Sequence, residues 1–162
     1  MSHTLIPNIS RKRDNPVLSG IHPILGGALL AELDRLGHGD ELVVADANFP
    51  SHRLGASVIE MPGLKSPLVV DAIRTVVPLD MYEGASVHLM ASEADGRPVV
   101  QQELVAAVHA PADRVADLER FAFYDRAAGA RLVVRTGELR AYGNLILRKG
   151  VVNAYEPAGC AL

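Results

Sequence analysis

A chain of 162 residues suffices for one domain with its own core; nearly half of it is apolar but none is Trp, so that core is built from Val, Leu, Ile and Ala. Charges of both signs summing to −3 leave no basic footprint for nucleic acid. No apolar run approaches the roughly 20 residues of a membrane span, no apolar stretch follows Arg11-Lys12-Arg13 as a secretory signal requires, and the single Cys160 supports neither a disulfide nor a cysteine-bound metal, so a cytoplasmic protein is expected.

Residues 1–16 are polar, end at Asn15-Pro16 and read as a flexible extension; 17–162 read as a single domain. Leu25, Ala28, Leu29, Leu33 and Leu36 share one helical face, and Gly37 follows where a left-handed C-terminal residue is expected. Glu41–Ala45 is a buried strand by length and β-branching, and Val58–Met61 another, ended by Pro62-Gly63. Ser66-Pro67 opens a helix, with Ser as N-cap and Pro in the first helical position, that runs to about Val77. Ser86–Ala91 is a strand and Asp95-Gly96 a turn; Gln101–Val108 and Arg120–Ala128 are helices; Arg131–Thr136 and Asn144–Arg148 are closing strands. Pro111–Glu119 carries no clear pattern. Alternating helices and short buried strands predict an α/β fold, a central sheet covered on both faces by helices.

Four segments carry polar groups suited to chemistry. In Gly37-His38-Gly39-Asp40 two glycines flank an imidazole, the one side chain that ordinarily gives and takes protons near neutrality. Asp46, in Asp46-Ala47-Asn48-Phe49-Pro50, stands where a strand ends, the usual rim for ligands in α/β sheets. It can accept two ligand hydroxyls, orient His38 from across the turn, or simply cap the turn. Arg120-Phe121-Ala122-Phe123-Tyr124 offers a guanidinium that is either a solvated charge or a fork of donors for hydroxyl oxygens. Its two phenylalanines suit packing or subunit contact better than nucleic-acid stacking. Finally Arg140-Ala141-Tyr142-Gly143-Asn144, immediately before the last strand, is either an ordinary turn or a site in which Tyr and Asn offer donors and acceptors and Gly permits close backbone approach.

Together with Thr136-Gly137-Glu138, these segments resemble, in order and spacing, the fucose mutarotase / ribose pyranase family over roughly Leu18 to Val152. The Arg-Phe-Ala-Phe-Tyr segment and the Gly-Asp after the histidine are closer to the fucose branch. The resemblance implies the three-layer α/β/α sandwich of that family. His38 is then the proton donor, and Asp46, Arg120, Tyr142, Gly143 and Asn144 are sugar ligands. It also implies a homo-oligomer, a decamer-type ring in which a neighbouring subunit completes each pocket. The sequence departs from the family in its extension and at Asn48, where some fucose-branch members carry His.

Exchanging sugar anomers needs one acid and one base and no cofactor or metal. His38 serves the ring oxygen; Tyr142, Asp46 or water takes the second proton. Other classes fit less well. His3, His22, His52, His88 and His109 lack the spacings of a metal site. Gly37-x-Gly39 follows a helix and precedes a strand, the reverse of a dinucleotide fingerprint. A ribose-type pyranase, or a non-catalytic sugar-binding accessory of an uptake system, shares the same residues and stands as the alternative.

Overall fold

Neighbouring side chains on a strand point to opposite faces, so a strand apolar on both must be covered on both. In the computed structural model, which describes residues 18–54, 56–93 and 95–154, four strands meet that condition. The extension at 1–16 and Cys160 lie outside the described residues. The strands are β1 (Glu41–Ala45), β2 (Ser57–Met61), β3 (Val87–Met90), β4 (Val115–Leu118), β5 (Leu132–Thr136) and β6 (Leu145–Arg148). The helices are α1 (Gly27–Asp34), α2 (Ser66–Arg74), α3 (Val99–Val108) and α4 (Arg120–Ala128).

One sheet holds all six strands in the order β2-β5-β1-β6-β3-β4. Leu42, Val44, Leu89, Leu132, Val134 and Leu147 face one side, where Leu29 and Leu33 of α1, Val69 and Ile73 of α2, and Leu104 of α3 bury them. Val43, Ala45, Val133 and Ile146 face the other side and pack on Phe123 and Ala127 of α4 and on Phe49. The result is a three-layer α/β/α sandwich with three helices on one face and one on the other.

β1, β2 and β5 run parallel, as do β3 and β4, while β6 is antiparallel to both neighbours, β1 and β3. Hence the loops after β1, β3, β4 and β5 and the loop before β6 gather at one edge of the sheet. The opposite edge collects the residues before β1 and β3 and after β6.

Four local readings change. Pro111–Glu119 holds a 3-10 turn (Ala112–Arg114) and β4, a half-exposed edge strand whose single neighbour imposes no clean alternation. The first helix is shorter than the apolar spacing predicts, although Leu25 and Leu36 are still buried from the flanking turns. Its C-cap, Arg35, is right-handed, and the left-handed glycine is Gly39 (φ 83°), not Gly37. Ser66 is already helical, so Lys65 precedes the first turn of α2, and no side chain caps it.

Candidate active site

At the edge where β1 ends, Asp46 meets the start of β6. The Asp46 amide donates to Asn144 Oδ1 (2.7 Å), and Asn144 Nδ2 donates back to Asp46 Oδ2 (2.9 Å). Both side chains are buried. The Asn48 amide donates to Asp46 Oδ1 (2.9 Å), so the loop after β1 turns around this carboxylate. Burial raises the Asp46 pKa above the ordinary carboxylate value; the amides of Asn48 and Phe49 and the Asn144 side chain oppose that, and the charge of Glu138 adds to it. Asn144 and Asn48 each occupy a lone pair on this carboxylate and the Phe49 amide draws on a third, which leaves one of its four acceptor positions.

Beside Asp46, the end of β5 supplies Thr136, whose hydroxyl donates to the Ala45 carbonyl (2.8 Å), and Glu138, whose carbonyl accepts from the Ala47 amide (2.9 Å). The chain then turns through Tyr142, a non-glycine residue at φ 65°. Gly143 follows at a place closed to side chains: a Cβ would stand 2.7 Å from Glu138 Cγ and 3.3 Å from Ser66 Oγ. Arg120 opens α4 directly after β4, on the same edge. Its guanidinium carbon lies 5.9 Å from the Tyr124 ring centre, and Tyr124 stacks on Phe49 at 5.5 Å, joining Arg120 to the loop that Asp46 anchors. Asp46, Arg120, Tyr142, Gly143 and Asn144 therefore share one rim. The two phenylalanines of this segment part: Phe123 is fully buried and Phe121 is 72% exposed.

His38 is elsewhere. It precedes β1 while Asp46 follows it, and the five residues between them span about 17 Å of strand. Asp46 cannot orient His38 within one copy of the chain. The residue that meets His38 is Asp80, which the sequence reading did not single out. His38 Nε2 lies 3.5 Å from Asp80 Oδ1, and the His38 ring packs edge-on against Tyr82 with centres 5.7 Å apart. Asp80 is buried; it accepts from the Tyr82 amide (2.9 Å), and Arg148 Nε stands 2.8 Å from its other oxygen. The Tyr82 amide, then His38 and Arg148, hold the Asp80 pKa below the ordinary range against the effect of burial. Gly39 makes this turn possible: its left-handed backbone lets its amide reach the Lys149 carbonyl (2.9 Å), extending the β1–β6 ladder past His38.

A single copy thus carries two separate polar clusters: a rim around Asp46 and Asn144, and on the opposite edge a half-exposed imidazole, His38, beside the buried carboxylate of Asp80. Among the described residues no three His, Cys, Asp or Glu side chains converge as a metal site needs. No helix among them is long and apolar enough to cross a membrane.

Comparison with known proteins places this arrangement. The model of the RbsD / FucU transport protein family matches residues 19–152. An L-fucose mutarotase of Glaesserella parasuis serovar 5 is 42% identical over 140 residues, covering 83% of this chain and 96% of that protein. The crystal structure of FucU from Bifidobacterium longum superposes with a TM-score of 0.77 at 40% identity, over 82% of this chain and 99% of that one. The fucose mutarotase of Streptococcus pneumoniae, crystallised in complex with L-fucose, gives a TM-score of 0.77 at 34% identity, over 83% and 99%.

Proposed function

Because the chain belongs to the RbsD / FucU transport protein family, we propose that it is an L-fucose mutarotase: a cofactor-independent isomerase that interconverts the α and β anomers of the free sugar. What supports this reading in the geometry is the Asp46–Asn144 clasp, a buried carboxylate at the rim of the sheet with acceptor capacity left for a sugar hydroxyl.

In this reading the sugar hydroxyls lie on Asp46, with Arg120 and Asn144 donating to neighbouring oxygens. A proton passes from His38 to the ring oxygen while the anomeric hydroxyl loses its own. The bond between the ring oxygen and the anomeric carbon breaks, and the open-chain aldehyde forms. Rotation about the bond from that carbon to its neighbour and reclosure on the other face return both protons, so nothing is oxidised or reduced. With Asp46 committed to the sugar hydroxyls, the Tyr142 phenol or water carries the second proton. Asp80 keeps His38 in place, anchored in turn by Arg148.

The two clusters work together if the His38 edge of one copy faces the Asp46 rim of the next. Exposed apolar side chains on both edges support this: Met81, Tyr82, Val151 and Val152 near His38, and Phe121 and Leu139 near Asp46. Two unlike patches in contact make a head-to-tail interface, which forms a closed ring when the rotation from copy to copy divides a full turn. The chain then works as a homo-oligomeric ring in the cytoplasm on a free monosaccharide.

Saturation-transfer NMR on L-fucose tests the activity, with D-ribose alongside. Exchange between the α and β signals faster than in buffer is expected for L-fucose. An unchanged exchange rate for every sugar overturns the enzyme reading in favour of a sugar-binding accessory protein.

A further inference from the structure

Tyr142 holds a left-handed backbone that its own residue type does not favour. A left-handed non-glycine residue costs about 1–2 kcal/mol and persists only where the surroundings fix it. The fixing contacts converge on Glu138 and Arg140. Arg140 Nε and Nη2 donate to the two Glu138 oxygens (both 2.8 Å), and Nη1 and Nη2 donate to the two Glu103 oxygens (3.0 and 2.8 Å). Its own backbone amide also donates to Glu138 Oε1 (3.1 Å). Four of the five N–H groups of the guanidinium are therefore engaged by two carboxylates, one in the loop and one on α3.

The Glu138 end of this network meets the rim at two places. Its carbonyl holds the Ala47 amide beside Asp46, and its Cγ fills the space that a side chain at Gly143 would need. Arg140 pulls the Glu138 pKa down to about 2, so the pair stays charged across the neutral range. From α3, Gln101 Nε2 also reaches the Tyr142 carbonyl (3.4 Å) while bonded to that of Met90 (2.7 Å). Arg140 and Glu138 direct most of their hydrogen-bonding capacity to each other and to Glu103, which leaves one guanidinium N–H.

Resting on the mutarotase reading for what the rim does, we propose that Arg140 is a positioning residue. Gripped between Glu138 and Glu103, it holds the Tyr142-Gly143-Asn144 turn in its working shape without touching substrate. A planar fork engaging two carboxylates is needed, and a point charge does not replace it.

The test uses Arg140→Met, Arg140→Lys and Glu103→Gln in the full chain, each read by L-fucose exchange kinetics and by a crystal structure. Misplacing a reacting group by about 1 Å costs up to about 100-fold, so Arg140→Met is expected to lower kcat about 10- to 100-fold with KM changed less than about threefold. Arg140→Lys is expected to recover only part of the loss, and Glu103→Gln to lose less than Arg140→Met. In the Arg140→Met crystal Tyr142 is expected to leave its left-handed backbone. A kcat within about twofold of wild type, with only the melting temperature lowered, overturns the proposal by making the network purely structural. A raised KM at constant kcat overturns it by making Arg140 a sugar ligand. Wild-type protein without exchange activity refutes the mutarotase reading instead; the crystal then decides separately, since Tyr142 unmoved in Arg140→Met overturns the positioning claim on its own.

Discussion

His88 has no part in the proposed chemistry, yet it dictates how this fold should respond to acid. It lies on β3, 95% buried, on the sheet face that α4 covers, with its Nδ1 unbonded to protein. Burial pushes its pKa from 6.5 down to about 4; the Arg126 and Arg148 cations push the same way and Glu41 opposes them. In the unfolded chain the imidazole protonates near 6.5, whereas the folded protein keeps it neutral to about 4. Between these values the unfolded state binds more protons, so stability is full above the upper one and falls as pH drops through the window. Each pKa unit is worth about 1.4 kcal/mol, so a window of two to three units costs on the order of 3 kcal/mol in all, most of it by pH 4.5. Urea unfolding from pH 7.5 to 4.5, on wild type and His88→Leu, measures it. Leucine keeps the volume without the titration, and the difference between the two proteins cancels what other groups contribute. Glu138, held at about 2, loses its own contribution only below the ordinary Glu range, outside this window. Equal losses in the two proteins between pH 6.5 and 4.5 would refute the argument.

Three further outcomes are expected. His38→Ala lowers L-fucose exchange about 10²–10⁴-fold while binding weakens by only about 1 kcal/mol, measured by exchange NMR and calorimetry; near-wild-type exchange removes His38 as the acid. Co-expressing His38→Ala with Asp46→Asn, each inactive alone, restores about a quarter of wild-type activity if each site draws on two neighbouring copies of a ring; no recovery in mixed oligomers places the whole site in one copy. Phe123→Ala costs about 3–5 kcal/mol of stability in denaturant, whereas Phe121→Ala acts on assembly and lowers the sedimenting mass; a Phe121→Ala variant of unchanged mass removes this residue from the interface.

Apolar periodicity carried most of the elements. β1, β5, β6 and α4 fall within a residue of their sequence boundaries, because each is bracketed by glycine, proline or charge and buried by its neighbours. β4 escaped because Val115-Ala116-Asp117-Leu118 is half exposed at an edge and owes its strand geometry to β3. Strand order escaped for a similar reason: that β6 inserts between β1 and β3 is a tertiary outcome no local pattern encodes. The rim residues were legible as strand-end polar groups. The placement of His38 was legible in principle, since it and Asp46 bracket one strand, but eight positions of sequence look closer than the strand makes them. Asp80 left no local signal, because its meeting with His38 depends on Leu79 bridging to Lys149. Arg140 opens a segment that the sequence marks, but its grip on Glu103, 37 positions away, left no signal because the two are adjacent only once α3 has packed.

The position of β6 bears on how the protein is made. It is the last strand in chain order, yet it forms the seam between β2-β5-β1 and β3-β4, which share no ladder without it. A ribosome has therefore synthesised nearly all of this domain before the two halves can be joined. Contacts of such large sequence separation close late and fold slowly. Until they close, the unpaired edges of β1 and β3 are open to strands of other nascent chains. The clusters on the two edges also take shape only at that moment: Asp46 receives Asn144, and Asp80 receives Arg148, from the two ends of the same strand. A chain cut short before Asn144 would lose both partners at once, and with them the settled positions of Asp46 and Asp80.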